Sequence, residues 1–257
     1  MTFVRRLEHG YRVRFDEAGP DGVLPASGYL RFAQDMAWLH SDSAGFDRAW
    51  YRERGLTWLV RAIELDILAD THDGAELTVS TEVIGFRRVW ARRRSEFTLR
   101  GAERKVATAI TDWVLLNERA RPSRPPAEIV DAFTADDYFG ADFTPLRMAA
   151  AEPPSDAALV EFGARRSELD PMAHVNNAVY LDYLDELFSA TGAAGANQSL
   201  PVPRRYRAEF LASAEQGVTL VGRGWPDERG WSYMLEDGER PLLRARLETD
   251  PATWVGG

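Results

Sequence analysis

Polar residues that could carry out a hydrolysis are concentrated in one short segment, SELDPMAHVNN. Asp170 lies four residues before His174 on a proline-containing turn, and Asn176 follows at a position suited to a helix start. A helix start exposes unpaired N–H groups and a positive dipole end, which stabilise a carbonyl oxygen that gains negative charge. Asp170 could deprotonate a water that His174 orients. The same residues also fit a purely structural turn, in which Asp170 and Asn176 act as caps.

Composition and motifs argue against most other functional classes. The 257 residues include no cysteine and four dispersed histidines, and the sequence lacks the serine-hydrolase, zinc-protease, phosphate-loop and dinucleotide-binding motifs. We therefore expect neither a metal nor another cofactor. The net charge of −9 argues against nonspecific binding to nucleic acid or anionic membranes. Because no apolar run approaches ~18 residues and the first residues lack a signal-peptide core, we expect a cytoplasmic protein without a membrane span.

The elements that must position the polar segment occur twice along the chain. VLPASGYLRFAQD, residues 23–35, aligns without a gap with HVNNAVYLDYLDE, residues 174–186, so that Val23 corresponds to His174. In both segments apolar residues recur at helical spacing, which predicts a helix with one apolar face. Each predicted helix is followed by a series of strands rich in β-branched and aromatic residues.

This repeat predicts an α+β fold with two similar halves, in each of which a sheet wraps a long helix. A stretch rich in proline and aspartate separates the halves and predicts a surface linker. We therefore expect an N-terminal domain at residues 1–127, a linker at 128–157 and a C-terminal domain at 158–257. A single large sandwich or barrel would not explain why the order of elements repeats in register.

Several segments resemble a known enzyme family. SELDPMAHVNNAVYLDYLDE resembles the D-x-x-x-H-V-N-N-x-x-Y signature of hot-dog-fold thioesterases. GLTWLVRAIELDI, WVLLN with its arginine-rich sequel, and YRAEF resemble the fatty acyl-ACP thioesterases of plants and bacteria, over nearly the whole chain. The resemblance implies a tandem double hot-dog fold. It also implies hydrolysis of the thioester between a fatty acyl group and acyl carrier protein (ACP), which releases free fatty acid.

The resemblance also assigns candidate catalytic residues. The family's motif Asp falls on Asp170, its His on His174 and its downstream Glu on Glu209. Because hydrolysis needs base, water and oxyanion donors within ~3 Å of one another, we expect these three side chains to converge around one cavity. Alternatively, Glu209 is an ordinary exposed strand residue, as most glutamates are.

The sequence departs from the family's pattern at two positions. Met172 stands where plant members have Asn, and Phe210 stands where a Cys follows the downstream Glu. A mechanism with a cysteine nucleophile is therefore excluded, and water attack assisted by a carboxylate base remains. Asn176 is a candidate substitute for the missing amide.

The first half lacks the polar cluster, because Val23, Leu24 and Pro25 occupy the corresponding positions. We expect this half to bind the acyl chain, with Phe32 and Met36 on its helix as candidate tunnel walls. Trp58 is a third candidate. The simpler alternative is that the apolar helix residues belong to an ordinary core, and Trp58 has the same two interpretations.

Arginines could provide a docking surface for ACP, which is a small acidic protein. The candidates lie in two runs, Arg92, Arg93 and Arg94 in the first half and Arg204 and Arg205 in the second. The alternative is that each run is the solvated face of a strand. Further association into a homodimer also remains open.

Three other functions compete with an acyl-ACP thioesterase. An acyl-CoA thioesterase could use the same site. A hot-dog hydratase typically has its His five residues after the Asp with an Asn between them, whereas the interval here is four and Met172 replaces the Asn. A non-catalytic acyl-binding module would keep the tunnel without needing the polar cluster.

Overall fold

The structure is a computed structural model that describes residues 5–134, 143–191, 200–238 and 240–254. The described helices are α1 (Ala26–Ser43), α2 (Arg48–Glu53), α3 (Ala127–Phe133) and α4 (Val179–Ala190). The described strands are β1 (Arg6–Arg12), β2 (Thr57–Ile67), β3 (Glu76–Arg87), β4 (Trp90–Leu99), β5 (Arg104–Leu116), β6 (Ala158–Gly163), β7 (Arg204–Phe210), β8 (Thr219–Asp227), β9 (Gly230–Asp237) and β10 (Arg240–Glu248).

The described strands form one antiparallel sheet with the order β1-β3-β4-β5-β2-β7-β10-β9-β8-β6. From either edge of the sheet toward its centre, the strands of the two halves follow the same order. The strands β6, β8, β9, β10 and β7 of the second half correspond to β1, β3, β4, β5 and β2 of the first. The halves meet where β2 pairs with β7. The predicted α+β, tandem double hot-dog fold is therefore confirmed, whereas the domain limits at residues 127 and 157 stay predictions.

Both long helices pack on the same face of the sheet, which we call the helix face. Their apolar sides carry the aromatic and aliphatic residues that the periodicity predicts, and Tyr29 and Tyr180 occupy corresponding, fully buried positions in the core. Phe32 stacks on Tyr11 at 4.6 Å between ring centroids, and its counterpart Tyr183 stacks on Phe162 at 4.8 Å. The two halves thus repeat in their side-chain packing as well as in strand order.

The two helices also meet each other. Arg31 on α1 donates to the Asp182 carboxylate on α4 at 2.8 Å, and the two residues are 151 positions apart. Val23 and His174 are separated by the same interval, so Arg31 and Asp182 are equivalent residues of the two halves that face one another across the contact between α1 and α4.

The opposite face of the sheet, which we call the outer face, is crossed by the chain segment 143–148. The Arg87 side chain donates to the Phe143 carbonyl at 2.7 Å, and the Leu146 N–H donates to the buried Asp112 carboxylate at 2.9 Å. This described part of the predicted linker therefore lies on the sheet. Most of α3 also lies within the predicted linker, and Ile129 and Phe133 are buried. None of the described helices combines the length and the apolar character needed to cross a membrane.

Candidate active site

A tight turn brings the two predicted catalytic residues of the second half together. The Asp170 N–H donates to the His174 carbonyl at 2.9 Å, and Leu169 forms a β-bridge with Val175 on either side of this bond. Ala173 has a φ of 63°, which closes the turn in the left-handed region. The segment from Asp170 to His174 is therefore a short loop that carries the carboxylate at one end and the imidazole at the other.

The side chains of this turn are only partly committed to structure. Asp170 Oδ1 accepts the Met172 N–H at 2.8 Å, and among the described residues no hydrogen bond reaches Oδ2 or the His174 ring. Both Asp170 and His174 are half-buried, whereas Met172 is 45% exposed. The turn thus presents one carboxylate oxygen and one imidazole at the edge of the protein.

The start of α4 follows immediately. Asn176 Oδ1 accepts the Ala178 N–H at 2.8 Å, in an Asx turn that leads into the helix. The backbone N–H of Asn177 has no acceptor among the described residues. This N–H and the helix dipole are suited to a developing oxyanion. The side-chain oxygen of Asn176 is used in the bond from the Ala178 N–H. Only the side-chain N–H groups of Asn176 could therefore replace those of the Asn that plant members have at the position of Met172.

Buried Tyr180 ties the turn to the loop that follows β7. Its hydroxyl accepts the Ala214 N–H at 2.8 Å, and the Ala214 carbonyl accepts the Val175 N–H at 2.9 Å. Burial raises the pKa of Tyr180 to about 12, so the hydroxyl remains protonated at neutral pH. The ring of Phe210, at the position where the resembling family has Cys, packs against Tyr180 at 5.7 Å between centroids.

A side-chain bond connects the α4 start to the first half. Asn177 Nδ2 donates to the Val60 carbonyl at 3.2 Å, at a point where β2 bulges between Val60 and Ala62. Trp58 lies two residues earlier on the same strand, about 7 Å away at ~3.4 Å per residue. Since Trp58 lines a pocket in the first half, the polar helix start and this pocket are neighbours along β2.

The pocket lies in the first half of the chain and opens to solvent, and its space, with the solvent-filled mouth included, is about 520 Å³. Its walls come from the C-terminal part of α1, from α2 and α3, and from strands β2 to β5. Most of its lining is apolar or aromatic, which suits an acyl chain. The lining residues are Ala37, Trp38, Ser41, Tyr51, Trp58, Val83, Phe86, Ala91, Arg93, Trp113, Ile129 and Phe133.

The predicted tunnel walls are therefore only partly supported. Trp58 lines the pocket, but Met36 is completely buried in the main core and Phe32 is stacked on Tyr11 there. The expectation that Phe32 and Met36 wall the tunnel is contradicted by their positions. The pocket is lined instead by the next residues of α1, Ala37 and Trp38, which face away from that core.

Glu209 is not brought into a cavity with Asp170 and His174. On β7, Ala208 and Phe210 belong to the core on the helix face, so the intervening Glu209 points to the outer face. Its buried carboxylate accepts from the Arg147 side chain at 2.6 Å and from the Met148 N–H at 2.9 Å. The expected convergence of the three side chains is thus corrected, because strand alternation places Glu209 beneath the segment 143–148.

Sequence reasoning did not identify Arg61 of β2, whose guanidinium group contacts Glu209 and the backbone at the end of β7. Its Nη1 donates to the carbonyls of Phe210 and Leu211, the latter at 2.9 Å, and its Nη2 lies 3.7 Å from Glu209. Burial lowers the pKa of Arg61. The bulge that turns Arg61 toward β7 leaves no clear signal in a single sequence.

The arginines predicted to dock ACP are engaged within the protein. Four of the five are paired with carboxylates: Arg92 with Asp112 at 2.7 Å, Arg94 with Glu82, Arg204 with Asp70 at 3.4 Å and Arg205 with Asp66 at 2.5 Å. Arg93 points to the helix face and lines the pocket. Strand alternation and cross-strand pairing distribute these charges within the sheet, and docking of ACP on either run stays a prediction. Among the described residues, no group of three His, Asp or Glu side chains could hold a metal ion.

Comparisons with known proteins agree with this architecture. A family model described as the N-terminal domain of acyl-ACP thioesterases matches residues 5–133. No curated protein matched the chain by sequence.

Solved structures match the chain over almost its full length. A Lactobacillus plantarum protein provisionally described as an oleoyl thioesterase is similar with a TM-score of 0.82 and 17% identity, covering 96% of this chain and 97% of that one. An acyl-ACP thioesterase from Bacteroides thetaiotaomicron has a TM-score of 0.77 and 17% identity, with 95% and 97% covered. A 12:0-ACP thioesterase from Umbellularia californica has a TM-score of 0.77 and 19% identity, with 96% and 98% covered.

Proposed function

The chain belongs to the acyl-ACP thioesterase family and is a thioester hydrolase that acts on acyl chains, and we propose that its substrate is a fatty acyl group carried by ACP. The observation that supports ACP as the carrier is the family match over residues 5–133. The bond between Asn177 and Val60, which joins a polar helix start to the strand that lines an apolar pocket, supports the location of the site. An acyl chain in the pocket would place its thioester beside the turn that holds Asp170 and His174. The cytoplasmic location and the homodimer stay predictions.

In the proposed reaction, water attacks the thioester carbonyl carbon. The free oxygen of Asp170 takes a proton from this water, while His174 orients the water or donates a proton to the departing sulfur. The carbonyl oxygen becomes negative and is stabilised by the Asn177 N–H and the positive end of α4. When the C–S bond breaks, the pantetheine sulfur leaves with a proton and the fatty acid leaves with the oxygen of water.

We propose that Glu209 acts outside this reaction. Its carboxylate receives donors from the segment 143–148 and from Arg61, which leaves it occupied on the outer face. We therefore assign Asp170 as the base, with His174 as its partner, and Glu209 as an anchor for the linker.

The carrier can be tested directly. We would measure kcat/KM for one acyl chain attached to ACP, to coenzyme A and to pantetheine. A kcat/KM for acyl-ACP well above those for acyl-CoA and acyl-pantetheine would support ACP as the partner, because only ACP offers a protein surface. Equal values for coenzyme A and ACP would favour the acyl-CoA alternative. Loss of all three activities in Asp170→Asn would assign them to one site.

A further inference from the structure

Arg93 is an unusual residue for the wall of an acyl pocket. It lies in the middle of β4 with its side chain on the helix face, is only 7% exposed, and lines the pocket together with aromatic and aliphatic residues. A plain hydrocarbon chain offers no partner to a guanidinium group. Because burial of a charge is unfavourable without compensation, the surroundings of this arginine bear on what the pocket binds.

The partners of Arg93 are neutral. Its Nη1 donates to His40 Nδ1 at 2.8 Å and to Thr81 Oγ1 at 3.2 Å. These bonds use the two N–H groups of Nη1, and the three N–H groups on Nε and Nη2 have no acceptor among the described residues. Burial lowers the pKa of Arg93 to about 10, which still leaves it positively charged at neutral pH.

The neighbouring arginines on β4 have anionic partners, which Arg93 lacks among the described residues. Arg92 forms two bonds with the Asp112 carboxylate at 2.7 and 2.8 Å, and Arg94 is bound to Glu82. Both lie on the outer face. Across the described part of the chain, no carboxylate lies within ion-pair distance of Arg93, so the arginine that faces the pocket is the one of these three without an anionic partner.

Three other polar side chains of the pocket already use their protons within the protein. The Ser41 hydroxyl donates to the Phe46 carbonyl at 2.8 Å, so the Tyr51 hydroxyl, 3.0 Å away, donates to Ser41. Trp58 Nε1 donates in turn to the Tyr51 hydroxyl at 3.2 Å. The protons of these three groups are therefore engaged, whereas three N–H groups of Arg93 are available to a ligand.

We propose that the pocket accepts acyl chains whose far end carries a carboxylate, which Arg93 binds. This inference rests on the proposed function and specifies the substrate class of the same site. The carboxylate would provide the counter-ion that Arg93 lacks and two acceptor oxygens for its Nε and Nη2 groups. The apolar residues of the pocket would surround the methylene chain between the two ends.

The position of Arg93 along the sheet is consistent with this arrangement. Val60 pairs with Trp113 and Trp113 with Ala91, while Arg93 lies two residues beyond Ala91. At ~4.8 Å between strands and ~3.4 Å per residue, Arg93 is roughly 12 Å from the Val60 backbone beside which the thioester would sit. A medium-length acyl chain can span that distance.

The test compares two acyl-ACP thioesters of the same length, one ending in a methyl group and the other in a carboxylate. We expect the wild-type protein to hydrolyse the carboxylate-ended thioester with the higher kcat/KM. Arg93→Met should reverse the preference, changing the ratio by roughly 10- to 100-fold, as loss of a charge-assisted hydrogen bond predicts. Arg94→Met is the matched control, because the same substitution one residue away alters only the outer face and should leave the ratio unchanged.

Two results would overturn the proposal. A wild-type preference for the methyl-ended thioester would do so without any variant, even if Arg93→Met failed to fold. An unchanged ratio in a folded Arg93→Met protein would assign Arg93 to holding His40 and Thr81. If the wild type hydrolyses neither thioester, the proposed function fails. Calorimetric binding of the two corresponding acyl methyl esters then decides the pocket's preference separately.

Discussion

The two helix starts share a backbone arrangement and differ in their side chains. The Leu24 N–H donates to the Thr71 carbonyl at 2.8 Å, as the equivalent Val175 N–H donates to the Ala214 carbonyl at 2.9 Å. At the preceding position, however, the first half has Val23 and the second has His174. A common scaffold therefore supports two kinds of site, and its side chains determine which half can assist a hydrolysis.

The two halves also differ beyond their helix starts. The first half has an α1 of 18 residues, and its last turns line the pocket through Ala37, Trp38 and Ser41. In the second half α4 is described over 12 residues. The comparison suggests a division of labour in which the first half provides the acyl pocket and the second provides the polar groups.

The largest expected effect comes from making the second helix start resemble the first. His174→Val and Asp170→Asn should each lower kcat by about 10²-fold or more, because each removes a group that acts in the transition state. Steady-state kinetics with circular dichroism would separate this loss from unfolding. Val23→Ala, at the position equivalent to His174, is the control and should leave kcat near the wild-type value. Retention of wild-type turnover by both polar variants would show that the site is elsewhere.

A pair of adjacent residues on α1 separates the core from the pocket. Met36→Ala should lower the free energy of unfolding by about 2–5 kcal/mol through a cavity in the core, with no change in the chain length of the released fatty acid. Ala37→Phe should instead narrow the pocket and shorten the preferred acyl chain. Chemical denaturation and mass spectrometry of released fatty acids measure the two effects. A shift in chain length with Met36→Ala alone would return Met36 to the tunnel.

The outer face provides a smaller effect that distinguishes an anchor from a catalyst. Glu209→Gln should lower the free energy of unfolding by about 1–3 kcal/mol, because Arg61 would lose its anionic partner while remaining partly buried, and kcat should change little. Asp112→Asn, which weakens the other carboxylate that holds the segment 143–148, should behave in the same way. If Glu209→Gln alone lowered kcat as much as Asp170→Asn does, Glu209 would belong to the reaction.

The smallest effect concerns the contact between the halves. A double-mutant cycle with Arg31→Ala and Asp182→Ala should give a coupling energy of about 0.2–1 kcal/mol, since both side chains are partly exposed. Urea denaturation at low and high salt would measure it, and salt should reduce it. A coupling of zero at low salt would contradict a stabilising role for this ion pair.

The sequence was sufficient to predict the repeat because helical periodicity and strand alternation are local patterns. The strands predicted after each helix coincide with the greater part of β2 to β5 and β7 to β10, and the helix segments coincide with the greater part of α1 and α4. Within the expected linker, α3 was missed although Ile129, Ala132 and Phe133 recur at helical spacing, because the surrounding prolines and aspartates favoured an irregular segment.

The site was less predictable because it depends on which face of the sheet each side chain occupies. Strand alternation in RRYRAEF places Glu209 on the face of the sheet opposite to Ala208 and Phe210. The same alternation in WARRRSEF places Arg93 on the same face as Ala91. Neither assignment was made from the sequence. The ion pair between Arg147 and Glu209 joins residues 62 positions apart. Such a distant contact leaves no periodic signal in one sequence.

The ion pair between Arg31 and Asp182 has a consequence for the independence of the halves. In a symmetric homodimer, a residue on the twofold axis faces its own copy, so two separate copies of the first half would oppose arginine to arginine, and two copies of the second would oppose aspartate to aspartate. Covalent linkage removes that restriction and allows opposite charges at equivalent positions. We therefore expect this contact to favour pairing of the two unlike halves over pairing of like halves by no more than the small coupling energy of the ion pair.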